Sequence, residues 1–134
     1  MNLRCCLLFI AVYCTTITTT WAADDTFVMA NDPMYYARLF MIQVNKAAAA
    51  KDRHAMGRLF AARFIYEGCD GGHHDWTVYM DALFRLGGTG KVLTARADKL
   101  FIIFEVQYPS RLQEVMIRQT TLGWMFQRAQ EKIC

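Results

Sequence analysis

Apolar side chains recur every three to four residues from position 36 onward, which is the spacing of one face of a helix. This first stripe follows Asn31 and Asp32, either of which can cap a helix. Pro33 suits the first turn, because the N–H that proline lacks would have no partner there. The alanine run 47–50 adds high helix propensity. We therefore predict a first helix that begins at Pro33 and includes this run.

Two shorter helices are predicted further along. Asp52 can cap the second, whose shared face is expected to carry Met56, Leu59 and Phe60. Asp75 can cap the third, and Gly87 follows it, as glycines commonly follow helices. The third has a clean amphipathic stripe, formed by Trp76, Tyr79, Met80, Leu83 and Phe84.

The apolar period changes from about 3.6 to two in the second half of the chain, which indicates strands. A short strand is predicted at 64–66, followed by a glycine-rich turn, and four longer strands at 92–97, 100–108, 112–119 and 124–130. Helices followed by an antiparallel meander are typical of the α+β class. We therefore expect three N-terminal helices, with one short strand among them, packed on one face of a strongly curved antiparallel sheet.

The first 22 residues have the pattern of a secretory signal peptide. Arg4 gives a positive start, an apolar run of about ten residues follows, and Thr20 and Ala22 place small side chains before a cleavage point. The apolar run is shorter than the roughly 20 residues of a membrane-spanning helix, so a membrane is not an expected partner. We predict a signal peptide at 1–22 and a secreted, extracellular domain at 23–134.

Composition narrows the partners and the redox state. Of five cysteines, three lie in the predicted leader, which leaves Cys69 and Cys134. In an oxidising compartment these two admit one intramolecular disulfide, although reactive thiols are the alternative interpretation. The 15 basic and 12 acidic residues form no basic stripe interleaved with aromatics, so nucleic acid is not an expected partner.

Several short motifs give the chain a family resemblance. They are Lys-Ala-Ala-Ala-Ala-Lys-Asp at 46–52, Leu-Phe at 59–60, Phe-Ile-Tyr-Glu-Gly-Cys-Asp-Gly at 64–71 and Lys-Ile-Cys at 132–134. In this combination the chain resembles the small secreted nuclear transport factor 2-like (SnoaL-like) proteins of roundworms. The resemblance implies a cystatin-like cone, in which a strongly bent sheet wraps a long N-terminal helix around a cavity. The superfamily contains isomerases, dehydratases and cyclases as well as members without activity, so the fold leaves the function open.

Candidate chemistry is sparse. His73, His74 and Asp75 are neighbours on a loop and do not present ligands convergently, so we predict no metal site and no cofactor. An acid or base within the cone would come from a small set of residues, of which Tyr66 and Tyr79 are weak catalytic candidates and the others are Glu105, Tyr108 and Glu114. Strand alternation places Glu105 on the face away from the helices.

Three functional hypotheses follow from this pattern. The first is non-catalytic binding of a small apolar ligand or of a protein partner, in a cavity lined by Leu39, Phe40, Leu83, Phe84, Ile102, Phe104 and Trp124. The second is a lyase or isomerase that acts on a small carbonyl compound. The third is a structural homodimer, because Phe101 and Ile103 are expected on the outer sheet face, unless another segment of the chain covers them.

Overall fold

The computed structural model describes residues 32–134. The predicted leader and the start of the predicted domain, up to Asn31, lie outside the described residues. The described elements follow in the order α1 Pro33–Ala50, α2 Arg53–Gly57, β1 Phe60–Glu67, β2 His73–His74, α3 Trp76–Leu86, β3 Lys91–Asp98, β4 Phe101–Tyr108, β5 Arg111–Thr120 and β6 Gly123–Ile133. Among these residues, no helix has both the length and the apolar content needed to cross a bilayer.

The helix caps are placed as the sequence predicts. Asp32 Oδ1 accepts the backbone N–H of Tyr35 at 2.9 Å and so caps α1, with Pro33 in the first turn. Asp75 caps α3, and Gly87 ends it in the left-handed region at φ 66°. The ends of the helices at Asp32, Asp75 and Gly87 depend on local hydrogen bonds and backbone sterics, so they can be predicted from the sequence alone.

The six strands form one mixed sheet in the order β2-β1-β6-β5-β4-β3. The predicted meander β3-β4-β5-β6 is antiparallel throughout, but β1 pairs with β6 in parallel, which corrects the expected all-antiparallel sheet. The arrangement of three N-terminal helices is not confirmed, because the short strand expected among them is the eight-residue β1 and a second strand, β2, follows it before α3. Pairing between strands distant in sequence leaves no mark on the apolar period, so the pattern could not show it.

The second helix is shorter than predicted. It ends at Gly57, and Phe60 begins β1 instead of sharing a helical face with Met56. Phe60 pairs with Phe126 in the sheet, and their rings stack with centroids 4.9 Å apart. Packing of this aromatic pair in the core outweighs the local helical pattern.

The core lies between the concave face of the curved sheet and the buried stripe of α1, which consists of Ala37, Phe40, Met41, Val44, Ala47 and Ala48. Asn45, on the same helix, fixes the loop before β3, since its side chain donates to the carbonyl of Gly90 at 2.7 Å and accepts the N–H of Gly90 at 3.2 Å. A Cβ at Gly90 would lie 2.9 Å from Cε1 of the buried Tyr108 ring and 2.7 Å from Met41 Cε, so a larger residue here would displace core side chains.

Candidate functional site

A groove of about 510 Å³ lies between the second half of α1, α2 and the turn that joins β5 to β6. Its lining residues come from all three places and are Gln43, Lys46, Ala47, Ala50, Asp52, Ala55, Arg58, Leu59, Leu122 and Trp124. The volume falls within the roughly 300 to 1,000 Å³ that is usual for small-molecule sites. We call this pocket the groove.

The alanine run explains why there is space at this position. Ala47 and Ala50 line the groove with single methyl groups, so α1 approaches α2 without filling the gap between them. Asp52 then starts α2 at once by accepting the N–H of Ala55 at 2.9 Å. Half-buried Trp124 and Leu122, which is 87% exposed, complete the apolar part of the lining.

Two basic side chains stand at the groove. Lys46 and Arg58 are both exposed, and neither forms an ion pair with any residue of the described part of the chain. Asp52 is the single carboxylate in the lining, and one of its oxygens is held by the α2 cap. The groove therefore combines an apolar, aromatic wall with a net positive charge.

A second set of polar side chains is buried in the core. Tyr66 donates its hydroxyl to Glu131 Oε1 at 2.7 Å, and Gln113 Nε2 donates to the same oxygen at 2.7 Å. Tyr79 donates to Gln113 Oε1 at 2.8 Å, while Arg111 reaches Glu131 Oε1 from the surface at 3.2 Å. The Glu131 side chain is only 1% exposed. We call Tyr66, Tyr79, Tyr108, Gln113 and Glu131 the buried polar cluster.

The tyrosines of the buried polar cluster are held in the neutral form. Burial raises the pKa of Tyr79 well above its ordinary value and raises that of Tyr108 as well. Burial, reinforced by the hydrogen bond to Glu131, raises the pKa of Tyr66. Desolvation disfavours a phenolate in each case, so these hydroxyls remain hydrogen-bond donors at physiological pH.

The structure brings together the two predicted catalytic candidates, Tyr66 and Tyr79, whose ring centroids lie 4.8 Å apart. The sequence did not reveal Gln113 and Glu131 as their partners. A register shift in the β5–β6 pair, between the pairs of Met116 and Ile117, changes the alternation of β6. Glu131 consequently lies on the helix-packed face of the sheet. Strict alternation starting from the buried Phe126 would place Gln130 and Lys132 on that face instead.

The other acid candidates lie elsewhere. Glu105 and Glu114 pair with each other across β4 and β5, and each carboxylate lies 3.7 Å from Lys132 Nζ on the outer face of the sheet. Tyr108 is buried near Tyr79. Of the five candidates, the structure therefore gathers three tyrosines inside and leaves both glutamates outside.

The seven residues predicted to line a cavity separate into three groups. The first is packed into the core and contains Phe40, Leu83, Ile102 and Phe104, with Phe84 half-buried at its margin. Trp124 lines the groove instead. Leu39 is 41% exposed, lies beside the buried stripe of α1 and is not among the residues that line the groove.

Phe101 and Ile103, predicted on the outer face of the sheet, are less exposed than that prediction implies. Ile103 is 7% exposed, and its cross-strand neighbours are Arg96 and Met116, whose long side chains can cover it. Phe101 is half-buried, and the guanidinium of Arg118 lies 5.8 Å from its ring centroid. Side chains of the same sheet therefore cover much of the apolar pair that suggested a homodimer.

The two histidines form strand β2 instead of part of the predicted loop, and each has a local partner. His73 Nε2 lies 3.1 Å from Glu67 Oε1, and His74 Nε2 lies 3.0 Å from Asp70 Oδ2. Within residues 32–134, no three His, Cys, Asp or Glu side chains are grouped so as to hold a metal ion. Cys69 lies in the turn between β1 and β2. Its disulfide with Cys134 links this turn to the end of β6.

The arrangement of helices and strands in this domain is similar to that of several solved structures. An NTF2-like protein of unknown function from Silicibacter pomeroyi DSS-3 matches with a TM-score of 0.58 and 9% identity, over 75% of this chain and 94% of that one. An NTF2-like protein from Cytophaga hutchinsonii matches with a TM-score of 0.54 and 8% identity, over 73% and 95%. The fold is NTF2-like. A de novo designed protein with a curved β-sheet is as similar, with a TM-score of 0.57 and 12% identity over 71% and 94%.

These identities are so low that the likeness to NTF2-like structures concerns the fold alone. In sequence, the chain matches no protein-family model and no curated protein. The function must therefore be argued from the groove and the buried polar cluster of this chain.

Proposed function

We propose that this protein is secreted and binds a small apolar ligand, without catalysis, in the groove of its NTF2-like domain. The observation that carries the proposal is the 510 Å³ groove, whose wall is formed by Trp124, Leu122 and three alanines. A pocket of this size that combines apolar side chains with polar groups is a usual form of a ligand site, and the polar part of this lining is Gln43, Lys46, Asp52 and Arg58. The leader-like first 22 residues and the Cys69–Cys134 bond support secretion.

The distribution of side-chain volume favours the groove over the interior. Phe40, Leu83, Ile102 and Phe104 are each 1% exposed and belong to one packed core. At the groove the reverse holds, because Ala47 and Ala50 contribute only single methyl groups to a lining that also contains Trp124. A ligand there would remove the exposed Leu122 side chain and the accessible part of Trp124 from water, and apolar burial contributes about 25 cal/mol per Å².

The proposal is tested by titrating the purified protein with decanol and following the indole N–H signal of Trp124 by NMR. We expect a saturable shift of that signal, assigned with the variant Trp124→Phe. The variant Leu122→Ala should weaken binding about three- to tenfold, since it removes part of the wall. The matched control is Leu100→Ala, which truncates an exposed leucine on another hairpin turn and should leave the affinity unchanged.

Two results would contradict binding in the groove. One is a Trp124 signal that does not move at any concentration at which decanol is monomeric. The other is an equal loss of affinity in Leu122→Ala and Leu100→Ala, which would indicate unspecific adsorption on exposed leucines.

A lyase or isomerase acting on a small carbonyl compound is the second candidate, favoured by the 2.7 Å contact between Tyr66 and Glu131. A neutral tyrosine beside a carboxylate can donate to a developing oxyanion. Both side chains are buried, however, so a substrate would have to open the cluster. Binding of 4-fluorophenol, followed by fluorine NMR and lost in Tyr66→Phe but not in Leu122→Ala, would favour this candidate over the first.

A further inference from the structure

We infer that the ligand of the groove is a single-chain amphiphile with one carboxylate, its apolar body against Trp124 and its anionic group between Lys46 and Arg58. The inference rests on the proposed function, because it needs the groove to be a binding site. It adds the chemical class of the ligand and the two residues that select it.

The charges of the groove provide the first argument. Four basic side chains of the described domain form ion pairs with carboxylates, for example Arg53 with Asp81 at 2.9 Å and Arg111 with Glu131 at 3.2 Å, and most of the others do not. Lys46 and Arg58 have no such partner among residues 32–134, although both line the same groove. An incoming anion would therefore meet two cations that no carboxylate of this domain neutralises by direct contact.

The negative groups near the groove are already engaged. Asp52 Oδ1 accepts the N–H of Ala55 at 2.9 Å, which commits that carboxylate to the start of α2. The carbonyls of Ala47 and Ala48 at the end of α1 accept the N–H groups of Asp52 and Lys51 at 3.0 and 3.1 Å. A cationic ligand would consequently find one partly used carboxylate and two repelling charges, so the groove discriminates by charge sign.

The position of the two cations determines the shape of the ligand. Both side chains are exposed, whereas the alanines and Trp124 form the wall. An anionic group held by them can keep part of its hydration shell, while the apolar chain leaves water against the wall. Arginine presents a planar fork that fits a carboxylate, and lysine adds a compact charge, so the pair suits one carboxylate group.

The experiment compares three probes that share one chain and differ in the head group: decanoate, decanol and decyltrimethylammonium. Each is titrated at monomeric concentration, with the Trp124 indole signal as the readout. We expect decanoate to bind at least tenfold more tightly than decanol, and decyltrimethylammonium to bind most weakly. The advantage of decanoate should shrink as salt increases, because the two cations are exposed to solvent.

Substitution separates the roles of the two cations from that of the wall. Lys46→Gln and Arg58→Gln should each weaken decanoate binding about three- to tenfold, and together they should remove its advantage over decanol. Decanol should bind all of these variants within twofold of the unsubstituted protein. The matched controls are Lys91→Gln and Arg63→Gln, exposed cations outside the groove lining, which should change neither affinity.

The outcomes distinguish this inference from the proposed function. If decanol and decanoate bind equally, or if the double glutamine variant keeps the preference, the inference is overturned while the groove remains a binding site. Preference for decyltrimethylammonium would overturn it in the same way. If none of the three probes moves the Trp124 signal, both the inference and the proposed function fail.

Discussion

The groove and the buried polar cluster are both built on β6, with Trp124 near its start and Glu131 near its end, about 20 Å apart along the strand. Each combines charged groups with aromatic rings. In the cluster, three donors converge on Glu131 Oε1, and the hydroxyls of Tyr66 and Tyr79 donate to partners within the protein. In the groove, Lys46 and Arg58 contact no carboxylate of the described domain.

This difference shows how to distinguish a structural polar group from one available to a ligand. A buried polar network in which the donors already have acceptors specifies the packing of the core and has few donors left to offer a ligand, although Glu131 Oε2 is buried here without a partner. Exposed cations beside an uncovered apolar wall have the opposite property, since their interactions are not yet made. We therefore expect substitutions in the cluster to change stability and substitutions in the groove to change binding.

The largest expected effect comes from the disulfide that anchors β6 beside the cluster. Replacing both cysteines, Cys69→Ser with Cys134→Ser, opens a loop of 65 residues. On the chain-entropy model this costs about 4 kcal/mol of the free energy of unfolding. Urea denaturation of the variant and of the oxidised protein measures the difference. Under native conditions the variant should still bind decanol, because the groove lies at the other end of β6.

Reduction of the unsubstituted protein with dithiothreitol provides the control, and it should reproduce the loss seen in the double serine variant. A loss below about 1 kcal/mol would show that packing alone holds the end of β6 in place. Loss of decanol affinity under conditions where the variant remains folded would show that the two regions are not independent.

A smaller loss is expected when the centre of the cluster is removed. Glu131→Ala leaves Tyr66 and Gln113 without their acceptor in the core, and it deprives Arg111 of its partner. Removing one member of a buried charged pair costs about 3 kcal/mol or more, and the lower figure applies here because Arg111 is partly exposed. Glu131→Gln, which keeps an acceptor oxygen, should lose less.

The matched control for this prediction is Glu114→Ala on the outer face, where the carboxylate is part-exposed and 3.7 Å from Lys132. Such a pair contributes between 0 and about 1 kcal/mol. Equal destabilisation by the two alanine variants in urea would remove the distinction between a buried network and a surface pair.

Much of this fold could be predicted because its signals are local. The caps at Asp32 and Asp75 and the left-handed Gly87 depend on neighbouring residues only, and all three are confirmed. The strands of the meander lie within a few residues of their predicted bounds, since alternation and turn residues mark them. The parallel pairing of β1 with β6 joins distant segments, so no local pattern could reveal it.

The candidate site was harder to predict for two physical reasons. The alanine run at 47–50 indicates helix propensity, yet its lack of side-chain volume, which creates the groove, becomes visible only when α2 and Trp124 are placed beside it. The sequence did not identify Glu131 as a site residue because it lies beyond the predicted end of its strand at residue 130. In addition, a register shift moves it to the inner face of the sheet. Both features arise from packing between elements.

The effect of pH on stability is absent near neutrality and develops only in alkaline solution, and it again separates the two regions. The folded-state pKa values of Tyr66, Tyr79 and Tyr108 are raised above the ordinary value of 10.0, so the unfolded chain loses these protons first as pH increases. The stability they contribute is present below pH 10 and declines above it, by up to about 1.4 kcal/mol per pH unit for each tyrosine. Urea midpoints measured between pH 8 and pH 11 should show this decline.

Tyr79→Phe removes one of the three ionisable hydroxyls and should reduce that slope by up to about 1.4 kcal/mol per pH unit. Leu122→Ala, which alters only the groove, should leave the slope unchanged. Tyrosinate absorbance followed in the same samples adds a second readout, because ionisation of the buried hydroxyls should coincide with unfolding. If these hydroxyls ionise while the protein remains folded, the cluster is open to solvent, and the contrast between a closed network and an open groove is lost.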